Sequence, residues 1–200
     1  METPAGLARV HLQPIDGPRA ALVLGHGAGG GVTARDLVAA TAGAHAAGVS
    51  VALVEQPYRV AGRRSPAPAQ QLDAAWVAVL ARLGQRELAE LPIVVGGRSS
   101  GARVACRTAG ATGAVGVACL AFPLQPPRRA GAAPAASRLA ELDAVAVPVL
   151  VVQGSNDRFG IPTVGERRTV IEVRGDHSLR SDLSAVTEAV QSWLAGLLKR

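Results

Sequence analysis

The apolar positions of this chain fall into short continuous runs, which longer amphipathic segments separate. Six of these runs are rich in valine, leucine and alanine and have the length of strands. Because most are apolar throughout instead of alternating, they predict parallel strands that are covered on both faces. The runs occupy residues 20–24, 49–54, 92–95, 116–121, 148–153 and 168–173.

The segments between these runs have the periodicity of helices. Thr33 is expected to cap the first helix, with Asp36 in its first turn and Gly48 just beyond its end, and Ser181 to cap the last. Strands that alternate with helices predict an open α/β sheet, mostly parallel, with helices on both faces and ligands beyond the carboxyl ends of the strands. The expected helices span residues 33–47, 70–83, 100–109, 137–145 and 182–198.

The length and composition fit a single domain. The chain has 200 residues, of which 48% are hydrophobic, so we expect one domain over residues 1–200 with its core at about 20–198. Irregular, proline-rich stretches at 58–69 and 123–136 are expected to be loops over the site, or linkers. The connection 122–147 has room for about one helix, so a full cap domain is not expected.

The positive charge of the chain does not favour a nucleic-acid partner. The net charge of +6 comes almost wholly from arginine, because Lys199 is the only lysine. The arginine pairs at 63–64, 128–129 and 167–168 are dispersed, and only five aromatic residues are present to stack on bases. A solvated surface is the better interpretation, and the sequence does not indicate an oligomeric state.

The cysteines and the hydropathy pattern favour a cytoplasmic location. Cys106 and Cys119 lie in apolar stretches without metal-site spacing, so we expect two buried free thiols in a reducing compartment and no metal. Residues 1–14 lack the apolar run of a signal peptide, and no run approaches the roughly 20 residues that cross a bilayer. No membrane partner is therefore expected.

The first glycine motif has two possible functions. Residues 25–30, Gly-His-Gly-Ala-Gly-Gly, match G-x-G-x-x-G directly after a predicted strand, and Glu55 ends the next strand. In a dinucleotide-binding protein this loop would hold a pyrophosphate and Glu55 a ribose hydroxyl. Dinucleotide binding is therefore one hypothesis for the chain.

The second glycine motif, Gly97-Arg98-Ser99-Ser100-Gly101, has the pattern G-x-S-x-G between a predicted strand and a predicted helix. Glycine is needed on both sides because side chains there would collide with the neighbouring strand and helix. Only Ser99 has glycine two residues away in each direction. Ser99 is therefore the candidate nucleophile, and Ser100 offers its backbone N–H.

A serine nucleophile needs a base and a carboxylate that orients the base, and both follow predicted strands downstream. Asp157 lies after the strand at 148–153, and His177 lies after the strand at 168–173. The alternatives are a simple turn for Asp157 and a surface histidine for His177. Asp176 and Glu172 are weaker candidates for the acid, since the first adjoins His177 and the second lies within a strand.

On these residues the chain resembles the α/β-hydrolase superfamily, in particular a branch of small predicted hydrolases distantly similar to dienelactone hydrolase. The resemblance implies the order nucleophile Ser99, acid Asp157 and base His177, and no cofactor is expected. Dienelactone hydrolase itself uses a cysteine nucleophile, so its substrate does not carry over to a chain with Ser99. The matching stretches are residues 24–30, 56–58, 96–103, 122–127, 153–160 and 175–179.

In a hydrolase the first glycine motif takes another role, because the turn after an early strand completes the oxyanion hole. The candidate donors are the backbone N–H groups of Ala28 and Gly29, beside that of Ser100. His26 is expected to orient this loop by hydrogen bonding and not to act as a base.

The sequence therefore predicts a serine hydrolase that cleaves a small carboxylic ester or thioester through an acyl-enzyme. Tyr58, Phe122 and Phe159 each follow a strand and are candidates to line the substrate pocket, with packing as the equal alternative. Arg98 is a candidate to steer an acidic substrate, with an ion pair as its alternative. The runner-up function is a catalytically silent binding or scaffold protein, since the branch includes a non-catalytic-looking subunit of a chromatin-modifying complex.

Overall fold

The computed structural model describes residues 1–126 and 136–199, and a sheet of seven strands forms its centre. The spatial order of these strands is β3-β5-β4-β6-β7-β8-β9, and β1 and β2 form a separate two-stranded sheet. In chain order the strands are β1 (Glu2–Thr3), β2 (Gly6–Leu7), β3 (Arg9–Gln13), β4 (Ala20–Gly25), β5 (Val49–Glu55), β6 (Ile93–Arg98), β7 (Gly116–Leu120), β8 (Val149–Gly154) and β9 (Arg168–Val173).

The helices alternate with the strands of the large sheet. All six predicted strands and all five predicted helices are confirmed, with bounds that differ by three residues or fewer. The described part of the connection between β7 and β8 holds only one short helix, in agreement with the expected lack of a full cap domain. The helices are α1 (Arg35–Ala46), α2 (Pro57–Val60), α3 (Ala69–Gln85), α4 (Ser100–Thr108), α5 (Leu139–Asp143) and α6 (Leu183–Leu197).

The sheet is parallel except at one edge, as expected for a mostly parallel sheet. Strand β3 pairs antiparallel with β5, and every other neighbouring pair is parallel. The sequence analysis did not predict β3. Its Arg-Val-His-Leu-Gln sequence alternates polar and apolar residues, which is the signal of a strand with one wet face.

Helices cover both faces of the sheet, which explains why its central strands are mostly apolar along their length. Along β4, Leu22 and Leu24 pack with the residues of α1 and α6, whereas Ala21 and Val23 pack with those of α3, α4 and α5. Successive strand residues point to opposite faces, and here both faces are core. The two cores hold the parallel strands whose carboxyl ends carry the candidate site.

The two helices on the first face approach each other closely. A Cβ atom at Gly43 of α1 would collide with the carbonyl oxygen of Thr187 of α6. The Thr187 hydroxyl donates a hydrogen bond to the carbonyl of Ala39, 3.1 Å away and 148 residues distant in sequence. Glycine at position 43 therefore lets α6 lie directly on α1.

The structure corrects both predicted helix caps. Helix α1 begins after Ala34, without a side-chain cap, so Thr33 lies one residue too early to act. Asp182, and not Ser181, caps α6, because its carboxylate accepts a hydrogen bond from the Ala185 N–H at 3.2 Å. The expectation for Gly48 is confirmed: it follows α1 at a φ of +76°, where glycine is favoured.

Of the two expected loops, the first contains part of α2 and the second falls mostly on residues 127–135, outside the described residues, as do Arg128 and Arg129.

Cys106 and Cys119 are buried free thiols, as predicted, with their sulfur atoms 3.5 Å apart. Within the described ranges, no helix has the length and apolar character needed to cross a bilayer.

Candidate active site

Ser99 lies alone between β6, which ends at Arg98, and α4, which begins at Ser100. Its backbone has a φ of +52°, in the left-handed region that a serine seldom adopts. A Cβ atom at either Gly97 or Gly101 would lie 2.5 Å from the carbonyl oxygen of Gly25 on β4. The glycines predicted from the motif are therefore required by the close passage of the turn over β4.

The structure brings Ser99, His177 and Asp157 together in one hydrogen-bonded chain. The Ser99 Oγ atom lies 2.9 Å from Nε2 of His177, and Nδ1 of His177 lies 2.7 Å from Oδ2 of Asp157. The Asp157 side chain is fully buried, whereas the His177 side chain is 18% exposed. With its Nδ1–H donated to the carboxylate, the imidazole can accept the Ser99 proton at Nε2.

The side-chain amide of Gln153 donates a hydrogen bond to the Asp157 carboxylate. The sequence analysis did not predict this residue as part of the site. Its Nε2 atom lies 2.7 Å from Oδ2 of Asp157, and the Phe159 N–H donates to Oδ1 at 2.9 Å. Gln153 is fully buried in β8, so the signal available was one polar residue in an otherwise apolar strand.

The two weaker candidates for the acid lie elsewhere. Asp176 is exposed and accepts hydrogen bonds from the backbone and hydroxyl of Ser178, and these bonds lower the pKa of its carboxyl. Glu172 is exposed on β9. Asp157 is the carboxylate that contacts His177.

The loop at residues 26–30 is organised around the ring of His26. Its Nδ1 atom lies 2.8 Å from the Gly27 carbonyl oxygen, and its Nε2 accepts a hydrogen bond from the Gln56 N–H at 3.1 Å. Because a carbonyl only accepts and an amide N–H only donates, these partners require the neutral ring with its proton on Nδ1. Burial also lowers the pKa of His26. These contacts match the loop-orienting role expected for His26.

The three backbone N–H groups predicted as oxyanion donors have no assigned hydrogen-bond acceptor in the described structure. Among the described residues, none accepts a hydrogen bond from the N–H of Ala28, Gly29 or Ser100. The Gly30 N–H, in contrast, donates to the Gly27 carbonyl within the loop. The backbone N–H groups of Ala28, Gly29 and Ser100 are therefore available as donors, and their role in an oxyanion hole stays a prediction.

The candidate substrate contacts occupy different environments. Tyr58 is buried and its hydroxyl donates to the Ala28 carbonyl at 2.9 Å, so it supports the glycine loop. Tyr58 also borders a cleft of about 440 Å³ that Arg63 and Gln71 line. Phe159 is half-buried, with its ring centroid 4.4 Å from that of His177, which suits a place at the pocket edge.

Phe122 is fully buried, which favours the packing alternative over a place in the substrate pocket. The backbone of Ala121 has a φ of +49° directly after β7, and the Phe122 ring that follows is fully buried in the core beneath the site. For Arg98 the structure favours the ion-pair alternative over a role in steering the substrate, because its Nε atom lies 2.8 Å from a carboxylate oxygen of Asp36.

The structure does not support dinucleotide binding, because Glu55 is engaged by other side chains. The Glu55 carboxylate, which would bind a ribose, instead pairs with Arg9 and His11 of the edge strand, each at 3.2 Å. The glycine loop lies beside Ser99, as the hydrolase interpretation requires: a Cβ atom at Gly27 would be 3.7 Å from the Ser99 Cβ.

Solved structures from several bacteria share this fold. An alpha-beta serine hydrolase homologue from Coxiella burnetii is 16% identical with a TM-score of 0.79, over 98% of this chain and 95% of that chain. A serine hydrolase without a lid from Xanthomonas campestris is 18% identical, with a TM-score of 0.71, over 96% and 92%. Dienelactone hydrolase from Anabaena variabilis is 16% identical, with a TM-score of 0.71, over 93% and 90%.

The family assignment rests on the sequence itself. A search of curated proteins finds no match. The family model described as an alpha/beta hydrolase domain matches residues 18–193, which include every residue of the Ser99, Asp157 and His177 chain. The chain therefore belongs to the alpha/beta hydrolase domain family, as the resemblance implied.

Proposed function

We propose that this protein is a serine hydrolase that cleaves a small carboxylic ester or thioester through an acyl-enzyme. The observation that carries the proposal is the hydrogen-bonded chain from Ser99 Oγ through the His177 ring to Asp157. The strained backbone of Ser99, which projects its hydroxyl above the carboxyl edge of the sheet, supports the same role.

The reaction has two halves. In the first, Nε2 of His177 takes the proton from Ser99 as Oγ attacks the substrate carbonyl carbon, and the carbonyl oxygen becomes an oxyanion. The tetrahedral intermediate collapses when the bond to the leaving group breaks and His177 returns the proton to that group. In the second half, water attacks the acyl-enzyme with His177 again as base, which releases the acid and restores Ser99.

The surroundings supply the two kinds of electrostatic support that this reaction needs. Backbone N–H groups of Ser100 and of Ala28 or Gly29 are the proposed donors to the oxyanion. Asp157 accepts the Nδ1–H of His177 and stabilises the imidazolium that forms in both halves. No metal or cofactor is needed for any step.

We propose a small substrate because the described part of the connection between β7 and β8, where a lid would be inserted, is short. Helix α5 is five residues long, and the described residues provide no lid domain. The half-buried Phe159 ring beside His177 offers an apolar contact for a short acyl or alcohol group. A small-molecule ester also suits the arginine-rich, dispersed surface charge better than a nucleic acid does.

A fluorophosphonate probe tests the proposal without knowledge of the substrate. Intact-mass analysis should show one phosphonyl adduct on the wild-type protein and none on Ser99→Ala. Ser100→Ala is the matched control, because it removes the adjacent hydroxyl but keeps the backbone N–H, and it should be labelled as the wild type is. A folded wild-type protein that stays unlabelled and hydrolyses no ester or thioester would replace the proposal with the silent scaffold.

A further inference from the structure

The turn that carries His177 must reach across the sheet to meet Ser99. His177 follows β9 and Ser99 follows β6, and β7 and β8 lie between these strands. Three strand spacings amount to roughly 14 Å, so the turn extends back over the ends of two strands. A displacement of this turn by about 1 Å would remove the contact with Ser99 and is enough to cost about 100-fold in rate.

Contacts on the far side fix this turn to the loop of the acid. The Asn156 N–H donates to the Gly175 carbonyl at 2.8 Å, and Leu179 is fully buried in the core. These contacts place His177 relative to Asp157, but they do not reach the turn that carries Ser99.

Arg98, the neighbour of Ser99 in sequence, makes the connection to the nucleophile. Its Nη2 atom donates to the main-chain carbonyl of His177 at 3.2 Å. Apart from the bond between Ser99 and His177 themselves, this is the one hydrogen bond that joins residues 97–101 to residues 174–181 in the described structure. The guanidinium also lies beside the glycine loop: Nη1 is 2.7 Å from where a Cβ atom of Gly27 would be.

Asp36 fixes the other side of the Arg98 guanidinium. Arg98 Nε lies 2.8 Å from Oδ2 of Asp36 in an ion pair whose N–H is not aligned for a regular hydrogen bond. The Asp36 side chain is 1% exposed, in the first turn of α1, and its Oδ1 accepts the Leu37 N–H. Burial raises the pKa of this carboxyl, and the Arg98 charge opposes that rise.

A carboxylate buried this deeply is costly unless it has a charged partner. Arg98 is the only cation within ion-pair distance of Asp36 among the described residues. The pair therefore fixes the guanidinium at one place, 3.2 Å from the backbone that carries the base. Two of the three guanidinium nitrogens, Nε and Nη2, are thereby occupied by partners within the protein.

We propose that Arg98, anchored by Asp36, is a positioning residue that holds the His177 turn at its working distance from Ser99. The inference rests on the proposed function, since it assigns a role within that same site. Arg98 touches neither the substrate nor the reacting atoms. It acts on the rate of the chemical step through the carbonyl of His177.

The test compares variants that keep or remove the connection. Arg98→Met keeps the apolar stem but removes every donor, and Arg98→Lys restores one charged donor. In the double variant Asp36→Asn/Arg98→Met both charges are gone, so no buried carboxylate is left unpaired if the single variant fails to fold. Arg107→Met is the matched control, because Arg107 is a similarly buried arginine that pairs with Asp73 at 2.6 Å and lies away from the turn.

Saturable labelling by a fluorophosphonate gives a maximal rate and a half-saturating concentration for each variant. Arg98→Met and the double variant should lose about 100-fold in maximal rate with the half-saturating concentration nearly unchanged, since the base and not the binding surface is displaced. Arg98→Lys should recover part of the loss, and Arg107→Met should match the wild type. Hydrogen exchange of residues 174–180 should be faster in Arg98→Met but not in Arg107→Met.

Each outcome is distinct. A labelled wild type with equally fast Arg98→Met and double variants would overturn the positioning role and leave the hydrolase proposal intact. A loss in Arg107→Met as large as in Arg98→Met would overturn it too, because the effect would then be one of general stability. A folded wild type that is never labelled and hydrolyses no ester or thioester would overturn both proposals, whatever the exchange data show.

Discussion

The Gln56 backbone N–H donates a hydrogen bond to Nε2 of His26 at 3.1 Å, which fixes the glycine loop to the end of β5. This bond exists only while Nε2 carries no proton. Protonation would replace an acceptor with a donor that faces another donor, in a ring that is 3% exposed. The glycine loop is therefore held by a histidine that must stay neutral.

The stability of the protein should fall as the pH drops below about 6.5. Burial lowers the pKa of His26 from its ordinary value of 6.5, so the unfolded chain takes up a proton that the folded chain does not. The stabilisation is present above about 6.5 and is lost as the pH falls through that ordinary value towards the lowered one, so the free energy of unfolding should be smaller at pH 5.5 than at pH 7.5. Urea unfolding across this range measures it.

His26→Gln should be less stable than the wild type at pH 7.5 and should lose this part of the pH dependence. His45→Gln is the comparison variant, because it removes a partly exposed histidine of α1 whose hydrogen-bond partner is Gln13 and not the glycine loop. Identical slopes for the wild type and His26→Gln would show that His26 is not the group responsible.

Asp157→Asn should lower kcat by about 10⁴-fold while the protein stays folded. An amide donates to Nδ1 where the carboxylate accepted, so the ring proton moves to Nε2 and the base can no longer receive the Ser99 proton. Ester hydrolysis measures the effect. Asp176→Asn, which alters the exposed neighbour of His177, should keep nearly full activity, and an equal loss in both variants would contradict the assignment of the acid.

Gly101→Ala should destabilise the fold strongly, although alanine favours helices. A Cβ atom there would lie 2.5 Å from the Gly25 carbonyl oxygen and 2.8 Å from that of His26, both of which are backbone atoms that cannot rotate away. The cost should reach at least about 1–3 kcal/mol, measured by thermal or urea unfolding. Gly196→Ala in α6 meets no atom within 4 Å and should gain about 0.5–1 kcal/mol, so equal effects would refute the steric argument.

The two thiols should be inert in the native protein. Cys119 is fully buried and Cys106 is 4% exposed, and the hydrogen bond with Cys106 together with burial raises the pKa of the Cys119 thiol. A thiol reagent such as DTNB should therefore react with neither cysteine in buffer and with both in denaturant. Rapid reaction of a native thiol would show that this part of the core opens readily.

The order of strands and helices could be predicted because each depends on local sequence. Fully apolar runs such as residues 20–24 indicate a strand covered on both sides, and the strand-to-helix context of Ser99 follows from its neighbours. The placement of Asp157 and His177 after strands also follows, since parallel strands bring their carboxyl ends to one edge.

What the sequence could not provide is the set of contacts between residues distant in sequence. The pairing of Arg98 with Asp36 depends on where the first turn of α1 lies relative to β6, and no local pattern encodes that distance. The burial of Phe122 depends on the backbone turn at Ala121, which alanine seldom adopts and which its neighbours do not signal. Threonine is a residue type that often caps helices, but the cap position of α1 lies one residue after Thr33, at Ala34.

The close packing of α6 on α1 also governs when the protein can finish folding during its synthesis. Ala39 and Thr187 meet although 148 residues separate them, so the apolar side of α1 and one face of the sheet stay uncovered until α6 is made. Until α6 leaves the ribosome, the nascent chain presents this surface to the solvent and to chaperones. The emergence of α6, and not the pairing of the early strands, completes the core on that side.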